Sequence, residues 1–386
     1  MDYRVAFFCK HFGQRGTERT TYDYADFNEI ILGNKSYIIC FSEKTIIKNK
    51  YIKSKYFMKK KYSDRFEIFE IDNIFEIKDI LLKNRITHFY AQSHGFHRDI
   101  FEFDNFKIWS SCKTIYHSVF GPMARQGSNV RCIVGEYLNN RFNKNLPILP
   151  HIIRPFKFQG DLRKQLNIPQ DSIVIGRHGG KETFNIDFVK QVIKKVVNFD
   201  QNIYFLFLNT EVFFNHKRVI HLENFSDLEV IKFIGTCDAM IHARIEGETF
   251  GLAIAEFSVA NKPVITYSKS KDKEHLRILK NSCIKYSDEN DLISIFKSIR
   301  SILKKELDWN AYKDYEPEKI MQLFRMICLE NVQESRSKLI SNFTRDLPWE
   351  IIIYIKLSIK FFINLLNKII PFYIKRKIKH LINLIK

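Results

Sequence analysis

The sequence of 386 residues lacks the motifs that mark disulfide-linked, metal-dependent and ATP-hydrolysing proteins. Its seven cysteines have no paired spacing, which excludes a disulfide framework or a cysteine-based metal site and is typical of a reduced protein. No Asp-x-Asp pair follows a predicted strand, and no metal-ligand cluster or Walker lysine motif occurs. The apolar run at the N-terminus is too short for a signal peptide. We therefore expect a cytoplasmic protein with no bound metal and no cofactor.

Acidic residues are missing from two segments, and these segments hold most of the excess positive charge. The formal net charge is +19, and residues 44–61 and 351–386 each contain eight basic residues and no acidic one. Charge concentrated in this way predicts two adhesive patches rather than a uniformly basic surface. The candidate partners are anionic lipid and nucleic acid.

The basic C-terminal segment also has apolar residues at helical spacing. Lys356 and Lys360 fall on one side of the predicted helix, and Leu357 and Phe361 fall on the other. No uncharged run of about 18 residues occurs, so the segment does not span a bilayer, and we expect residues 346–386 to form a basic amphipathic helical tail on an anionic membrane surface. The aromatic residues accompany Ile and Leu rather than forming a stacking platform, which argues against nucleic acid. A helix packed on the protein body, with solvated lysines, is the alternative.

Continuous apolar strands alternate with amphipathic helices in both halves of the chain. The predicted strands are residues 3–9, 36–41, 66–69, 86–91, 113–118 and 132–135, then 172–177, 203–208, 239–243 and 264–268. This alternation is typical of a parallel sheet covered by helices on both faces. The sequence therefore predicts an α/β fold of two facing Rossmann-like domains, whose ligands bind at the carboxyl ends of the strands.

Three prolines between residues 147 and 155 mark the linker between the two halves. We assign residues 1–155 to a first Rossmann-like domain and residues 156–345 to a second one. The basic tail is the third part.

The run EGETFGLAIAE places two carboxylates, Glu248 and Glu256, eight positions apart around a turn. An apolar helix opens at Gly251, and Glu256 is its one charge. A buried carboxylate needs a partner, because burying it unpaired costs several kcal/mol. The rise of the helix sets Glu256 about 7 Å beyond Gly251, close to the span from a distal phosphate to a ribose. A salt bridge to a neighbouring residue is the alternative partner.

The same run resembles the nucleotide-sugar signature of the retaining GT-B glycosyltransferases of family 4, whose E-x7-E element falls on Glu248 and Glu256. The resemblance implies that Glu248 lies by the donor sugar and that Glu256 binds the ribose hydroxyls. It also implies that residues 1–155 form the acceptor-side domain, and that residues 156–345 form the nucleotide-sugar-binding domain and include a helix that crosses back to the first domain. Free backbone amides at Phe250, Gly251 and Leu252 would then favour phosphate. The sequence departs from the family pattern, because the segment between Glu248 and the Phe-Gly turn is one residue longer.

A second element follows the strand at residues 172–177. Arg177 precedes a His-Gly-Gly-Lys run and matches the Gly-Arg element of the family, in which Arg and a following Lys hold the leaving group. The resemblance implies this role for Arg177 and Lys181. Fixed cations serve such a reaction because the departing diphosphate gains negative charge in the transition state.

The first half supplies the remaining candidates. His117 ends a strand and matches the cleft histidine that contacts the transferred sugar in the family, while His94 occupies a similar strand end, where a structural role stays equally open. Gly13 and Gly16 suit a tight turn where the backbone approaches a ligand, and Arg19 adds positive charge nearby.

These observations favour a retaining hexosyltransferase at the inner face of a membrane. The expected donor is a nucleotide-sugar, and the expected acceptor is a lipid-linked, lipopolysaccharide-type or capsule-type glycan. A nucleotide-sugar epimerase of the same fold and a basic nucleic-acid-binding protein are the alternatives.

The tail hypothesis predicts how a shortened chain partitions. A protein ending at Asp346 loses residues that carry basic charge and apolar surface, so it should move from the membrane fraction to the soluble fraction at moderate salt and keep its fold. Sedimentation with anionic vesicles measures the change, and neutral vesicles are the control. Unchanged partitioning would remove the membrane assignment.

Overall fold

The computed structural model describes residues 3–13, 16–48, 58–96, 103, 106–109, 111–121, 127–155, 157–223 and 226–330. The predicted tail, residues 346–386, lies outside this range, as does much of the first basic segment. Both sheets belong to one compact unit of the chain, Met1–Leu329. Within the described residues, no helix is long and apolar enough to cross a bilayer.

Six parallel strands form the first sheet, in the order β3-β2-β1-β4-β5-β6. The strands are β1 (Arg4–Phe8), β2 (Lys35–Phe41), β3 (Glu67–Ile71), β4 (His88–Ser93), β5 (Lys113–Ser118) and β6 (Val130–Ile133). The helices are α1 (Gly16–Ile30), α2 (Glu43–Lys48), α3 (Lys59–Ser63), α4 (Ile77–Lys83), α5 (Phe106–Trp109) and α6 (Glu136–Arg141).

Six further parallel strands form the second sheet, in the order β14-β12-β10-β7-β8-β9. They are β7 (Ile173–His178), β8 (Ile203–Leu208), β9 (Val219–Leu222), β10 (Ala239–His242), β12 (Val264–Tyr267) and β14 (Ile284–Tyr286). The helices are α7 (Asp187–Phe199), α8 (Asp227–Thr236), α9 (Leu252–Val259), α10 (Glu274–Leu279), α11 (Glu289–Leu303) and α12 (Pro317–Phe324). Two short strands, β11 (Gly247–Glu248) and β13 (Asp272–Lys273), pair separately.

Each sheet is covered on both faces, which is why its strands read as continuous apolar runs. In β1, Phe7 packs into the core that contains α1, and Phe8 packs into the opposite core with α4. In β7, Val174 packs beneath α8 and α9, and Ile175 packs beneath α7 and α11. This is the pattern expected of parallel strands between two helical layers. The prediction of two parallel-sheet α/β domains is confirmed.

The last described helix returns to the first sheet. Phe324 of α12 is fully buried and stacks on Phe7 at a centroid distance of 6.1 Å. A turn of π-helix, Arg325–Leu329, follows it. The domain limits at residues 155 and 345 stay predictions.

A contact between the two domains fixes the segment that carries Glu248. The buried carboxylate of Glu274 accepts a hydrogen bond of 2.6 Å from the backbone amide of Tyr137, at the start of α6. The Tyr137 hydroxyl donates to the carbonyl oxygen of Lys271 at 2.6 Å, and Arg141 pairs with Asp272. The first domain therefore holds β13, and β13 pairs with the strand that ends at Glu248.

Candidate functional site

The start of α9 is shaped by a glycine that no other residue replaces without strain. Gly251 precedes the helix with φ of 90°, in the left-handed region that favours glycine. No side chain caps the helix, so its first backbone N–H groups have no side-chain acceptor. Such a helix terminus attracts an anion through its N–H groups and its dipole. The predicted helix opening at Gly251 is confirmed.

Glu256 lies on the second turn of α9 and is 8% exposed. Its Oε1 accepts a hydrogen bond of 2.6 Å from Arg19, which comes from α1 of the other domain. Nε2 of His178 is 2.9 Å from Oε2. That contact has the distance of an ion pair, although Oε2 accepts no hydrogen bond. The buried carboxylate therefore pairs with Arg19 through Oε1 and lies against His178 through Oε2.

The two partners keep Glu256 ionised. Burial alone would raise the pKa of its carboxyl group, but the charge of Arg19 and then that of His178 outweigh the burial and lower the pKa to about 2. The salt bridge considered from the sequence exists, and it joins the two domains rather than lying inside one of them.

The start of α1 lies against the start of α9. A Cβ atom on Gly16 would lie 3.1 Å from Cδ1 of Leu252, so a larger residue at position 16 would push against the first residue of α9. Arg19 is one turn further along α1, on the same face as Gly16. Gly13 is buried before α1, and its backbone N–H donates to Nδ1 of His11 at 3.3 Å. The structure thus brings Gly16, Leu252, Arg19 and Glu256 together.

Glu248 ends the short strand β11, and a glycine allows that strand to form. Gly247 has φ of 69°, and a Cβ atom there would collide with the carbonyl oxygen of Asp272. The Glu248 carboxylate lies 3.0 Å from Nη1 of Arg244 and 3.4 Å from Nε2 of His242. Burial would raise the pKa of Glu248, but the hydrogen bond from His242 and the charge of Arg244 lower it to about 2. Glycine at position 247 therefore allows the close pairing of β11 with β13.

Arg177 is buried and bound within its own domain. Its Nη2 donates to the carbonyl oxygen of Gly180 at 2.8 Å and to Oγ1 of Thr183 at 2.5 Å, and its Nη1 donates to Thr210. Burial lowers the pKa of Arg177 to about 10, which leaves the guanidinium charged at neutral pH. These bonds shape the turn after β7.

The ammonium group of Lys181 is exposed and pairs with Glu223 at 3.0 Å. Binding of a diphosphate by Lys181 would require this pair to separate. The roles that the family resemblance implies for Arg177 and Lys181 stay predictions.

His117 is fully buried behind the surface that faces the second domain. Its Nδ1 and the Tyr90 hydroxyl are 2.6 Å apart, and burial, followed by the nearby His151, keeps the pKa of His117 well below its usual range. His151 lies in front of it and packs against Phe250 of the second domain at a centroid distance of 5.2 Å. His151 therefore contacts both His117 and the second domain. His94 is exposed at the end of β4 and stacks on Phe120.

Four residues of the site were not singled out from the sequence. They are His151, His178, His242 and Arg244. The sequence pattern could have indicated three of them. His178 and His242 are the last residues of two strands of the second sheet, and Arg244 lies two residues after His242. Side chains at carboxyl ends of parallel strands face the ligand edge of the sheet. Among the described residues, no group of three or more His, Cys, Asp or Glu side chains has the arrangement of a metal site.

Solved structures of glycosyltransferases share this fold. HepE of Anabaena, in complex with UDP-glucose, is 11% identical with a TM-score of 0.61, and the match covers 87% of this chain and 100% of that one. A glycosyltransferase from Rickettsia africae ESF-5 is 14% identical with a TM-score of 0.58, covering 88% and 99%. WaaG, a glycosyltransferase involved in lipopolysaccharide biosynthesis, is 11% identical with a TM-score of 0.57, covering 84% and 100%.

At such low identities the likeness shows the fold, which is that of the GT-B glycosyltransferases. No protein-family model and no curated protein matches the chain.

The lowered pKa of Glu256 predicts a pH-dependent contribution to stability. A carboxyl group with a pKa of about 2 when folded and 4.5 when unfolded stabilises the fold fully above the unfolded value and loses that contribution as pH falls through the folded value. The difference in unfolding free energy between wild type and Glu256→Gln should therefore shrink by about 2 kcal/mol between about pH 6 and pH 3.

Urea unfolding at several pH values measures this difference. In an Arg19→Ala background the shrinkage should be smaller, because the largest pKa-lowering partner is gone. A difference that is constant with pH would contradict an ionised Glu256.

Proposed function

We propose that this protein is a retaining glycosyltransferase that moves a hexose from a nucleotide-sugar donor to a glycan acceptor. One observation carries the proposal: the buried carboxylate of Glu256 keeps an acceptor oxygen without a hydrogen bond, one and a half turns from the uncapped start of α9. Ribose hydroxyls are donors that suit a carboxylate, and a diphosphate is an anion that suits a helix N-terminus. The two subsites together fit a nucleoside diphosphate.

The neighbouring structures support the class of donor. HepE was solved with UDP-glucose, with UDP and with UDP and glucose, and its chain is matched over nearly its whole length. In this protein, Glu248 would lie beside the sugar, since it precedes the Phe-Gly turn that opens α9. Arg244 and His242 hold its carboxylate ionised in the absence of a ligand.

The proposed acceptor is a lipid-linked, lipopolysaccharide-type or capsule-type glycan at the inner face of a membrane. The basic amphipathic sequence of residues 346–386 supports a location where such acceptors lie, and WaaG, which shares the fold, is involved in lipopolysaccharide biosynthesis. A basic patch attracts anionic lipid through its charge, and its apolar residues enter the interface.

A nucleotide-sugar epimerase of the same fold is the second candidate. The observation in its favour is that Glu256 and the start of α9 would bind the same donor without any acceptor. The two activities differ in their products, because an epimerase returns a sugar nucleotide and a transferase releases a nucleoside diphosphate.

The product of the reaction tests the proposed function. With a nucleotide-sugar donor and a glycan acceptor, transfer should proceed in EDTA and the product should keep the anomeric configuration of the donor. Proton NMR of the anomeric signal follows both properties in one experiment. Inversion, or activity that is lost in EDTA and restored by Mn²⁺, would contradict the proposal, and an epimerised donor would favour the second candidate.

The two glutamates should affect different kinetic constants. Ribose contacts are equal in the ground state and the transition state, so Glu256→Gln should mainly raise KM for the donor. Glu248→Gln should mainly lower kcat, because its partner is the sugar whose charge changes during transfer. The loss of a hydrogen bond to a charged group corresponds to an effect of about tenfold or more.

Steady-state kinetics with the donor varied measures both constants, and melting curves establish that the variants are folded. Wild-type constants in both folded variants would show that the proposed site is wrong.

A further inference from the structure

We infer that Arg19 is the residue that neutralises the diphosphate of the donor, and that it holds Glu256 only until the ribose takes its place. The inference rests on the proposed function. It places the cation that neutralises the diphosphate in the first domain, whereas the family resemblance implies cations of the second domain.

Three cations of the second domain, Arg177, Lys181 and Arg244, already have hydrogen-bond or ion-pair partners. The terminal nitrogens of Arg177 donate to its own turn and to Thr210, as described above. Lys181 is paired with Glu223 at 3.0 Å, and Arg244 is paired with Glu248 at 3.0 Å. A diphosphate bound by Lys181 or Arg244 would compete with an existing ion pair, and one bound by Arg177 would compete with its hydrogen bonds to uncharged groups.

The guanidinium group of Arg19 has more N–H donors than its contact with Glu256 uses. A guanidinium group carries five N–H donors, and among the residues that the structure describes only Glu256 accepts a hydrogen bond from Arg19. The Arg19 side chain is 36% exposed, so part of it is accessible to solvent. Its remaining N–H groups therefore face solvent or a ligand.

The position of Arg19 suits an anion at the start of α9. Gly16 abuts Leu252, the first residue of that helix, and Arg19 lies three residues further on the same face of α1. One helical turn is about 5.4 Å, which a flexible arginine side chain spans by rotating. The same guanidinium can therefore pair with Glu256 in one rotamer and with an anion bound at the first N–H groups of α9 in another.

The two oxygens of the Glu256 carboxylate explain why a bound ribose displaces Arg19. A ribose presents two neighbouring hydroxyl donors, but only Oε2 is without a hydrogen bond while Arg19 occupies Oε1. Full recognition of the ribose by Glu256 displaces Arg19. The displaced cation then loses the strongest of its charged partners, since Asp23 and Asp227 act on it more weakly than Glu256 does, and the diphosphate supplies a new negative charge. His178 remains beside the carboxylate.

This exchange makes nucleoside and diphosphate binding depend on each other. A nucleoside alone must expel Arg19 without offering it a new partner, so it should bind weakly to the wild type. A nucleoside diphosphate restores the pairing. The Arg19→Ala variant should therefore bind UDP at least about tenfold more weakly, and should bind uridine as well as the wild type does, or more tightly.

Isothermal titration of the full chain with UDP and with uridine measures both affinities, with GDP and guanosine and with ADP and adenosine as parallel pairs. Arg19→Lys, which keeps the charge, should recover most of the UDP affinity. Arg65→Ala is the matched control, because Arg65 also pairs with carboxylates of α1, Asp26 and Glu29, but near the other end of that helix. This control should bind both ligands like the wild type.

The outcomes separate this inference from the function on which it rests. If the wild type binds none of the three diphosphates, the proposed function is wrong and the inference falls with it. If the wild type binds a diphosphate and Arg19→Ala weakens diphosphate and nucleoside in parallel, or weakens neither, Arg19 is only a structural tie between the domains and the inference is overturned.

Discussion

The cost of a buried charge governs the arrangement of the cleft. Glu256 is the one charged residue on an apolar helix, and an ionised carboxylate is stable there only with a partner. In the structure that partner is Arg19, which is 237 residues away in sequence and belongs to the other domain. The same pair therefore keeps the site ionised and joins the domains. A ligand that binds both carboxylate oxygens of Glu256 must replace this contact.

Local patterns were enough to predict most of the fold and the start of α9. Strands buried on both faces leave a continuous apolar signal, and the Gly251 turn followed by an apolar helix is a contiguous feature. Four strands were missed. Two of them, β11 and β13, have only two residues each, and the other two, β9 and β14, are the short outer strands of the second sheet. Each has a neighbour on one side only, so its sequence carries less of the apolar pattern.

The candidate site was predicted less completely, because its contacts link distant parts of the chain. The strand-end rule selected His117 and Arg177, but both side chains turn into their own domains and find hydrogen-bond partners there. The residue that faces the second domain is His151, which no strand pattern marks. Arg19 was visible only as positive charge near two glycines, since nothing local indicates that its partner lies on α9.

A crystal structure of the protein with UDP tests the central claim most directly. The account predicts ribose hydroxyls within hydrogen-bonding distance of both oxygens of Glu256, the diphosphate at the first N–H groups of α9, and Arg19 turned from Glu256 to a phosphate oxygen. A structure in which UDP is bound while Arg19 remains on Glu256, with the ribose elsewhere, would contradict the account.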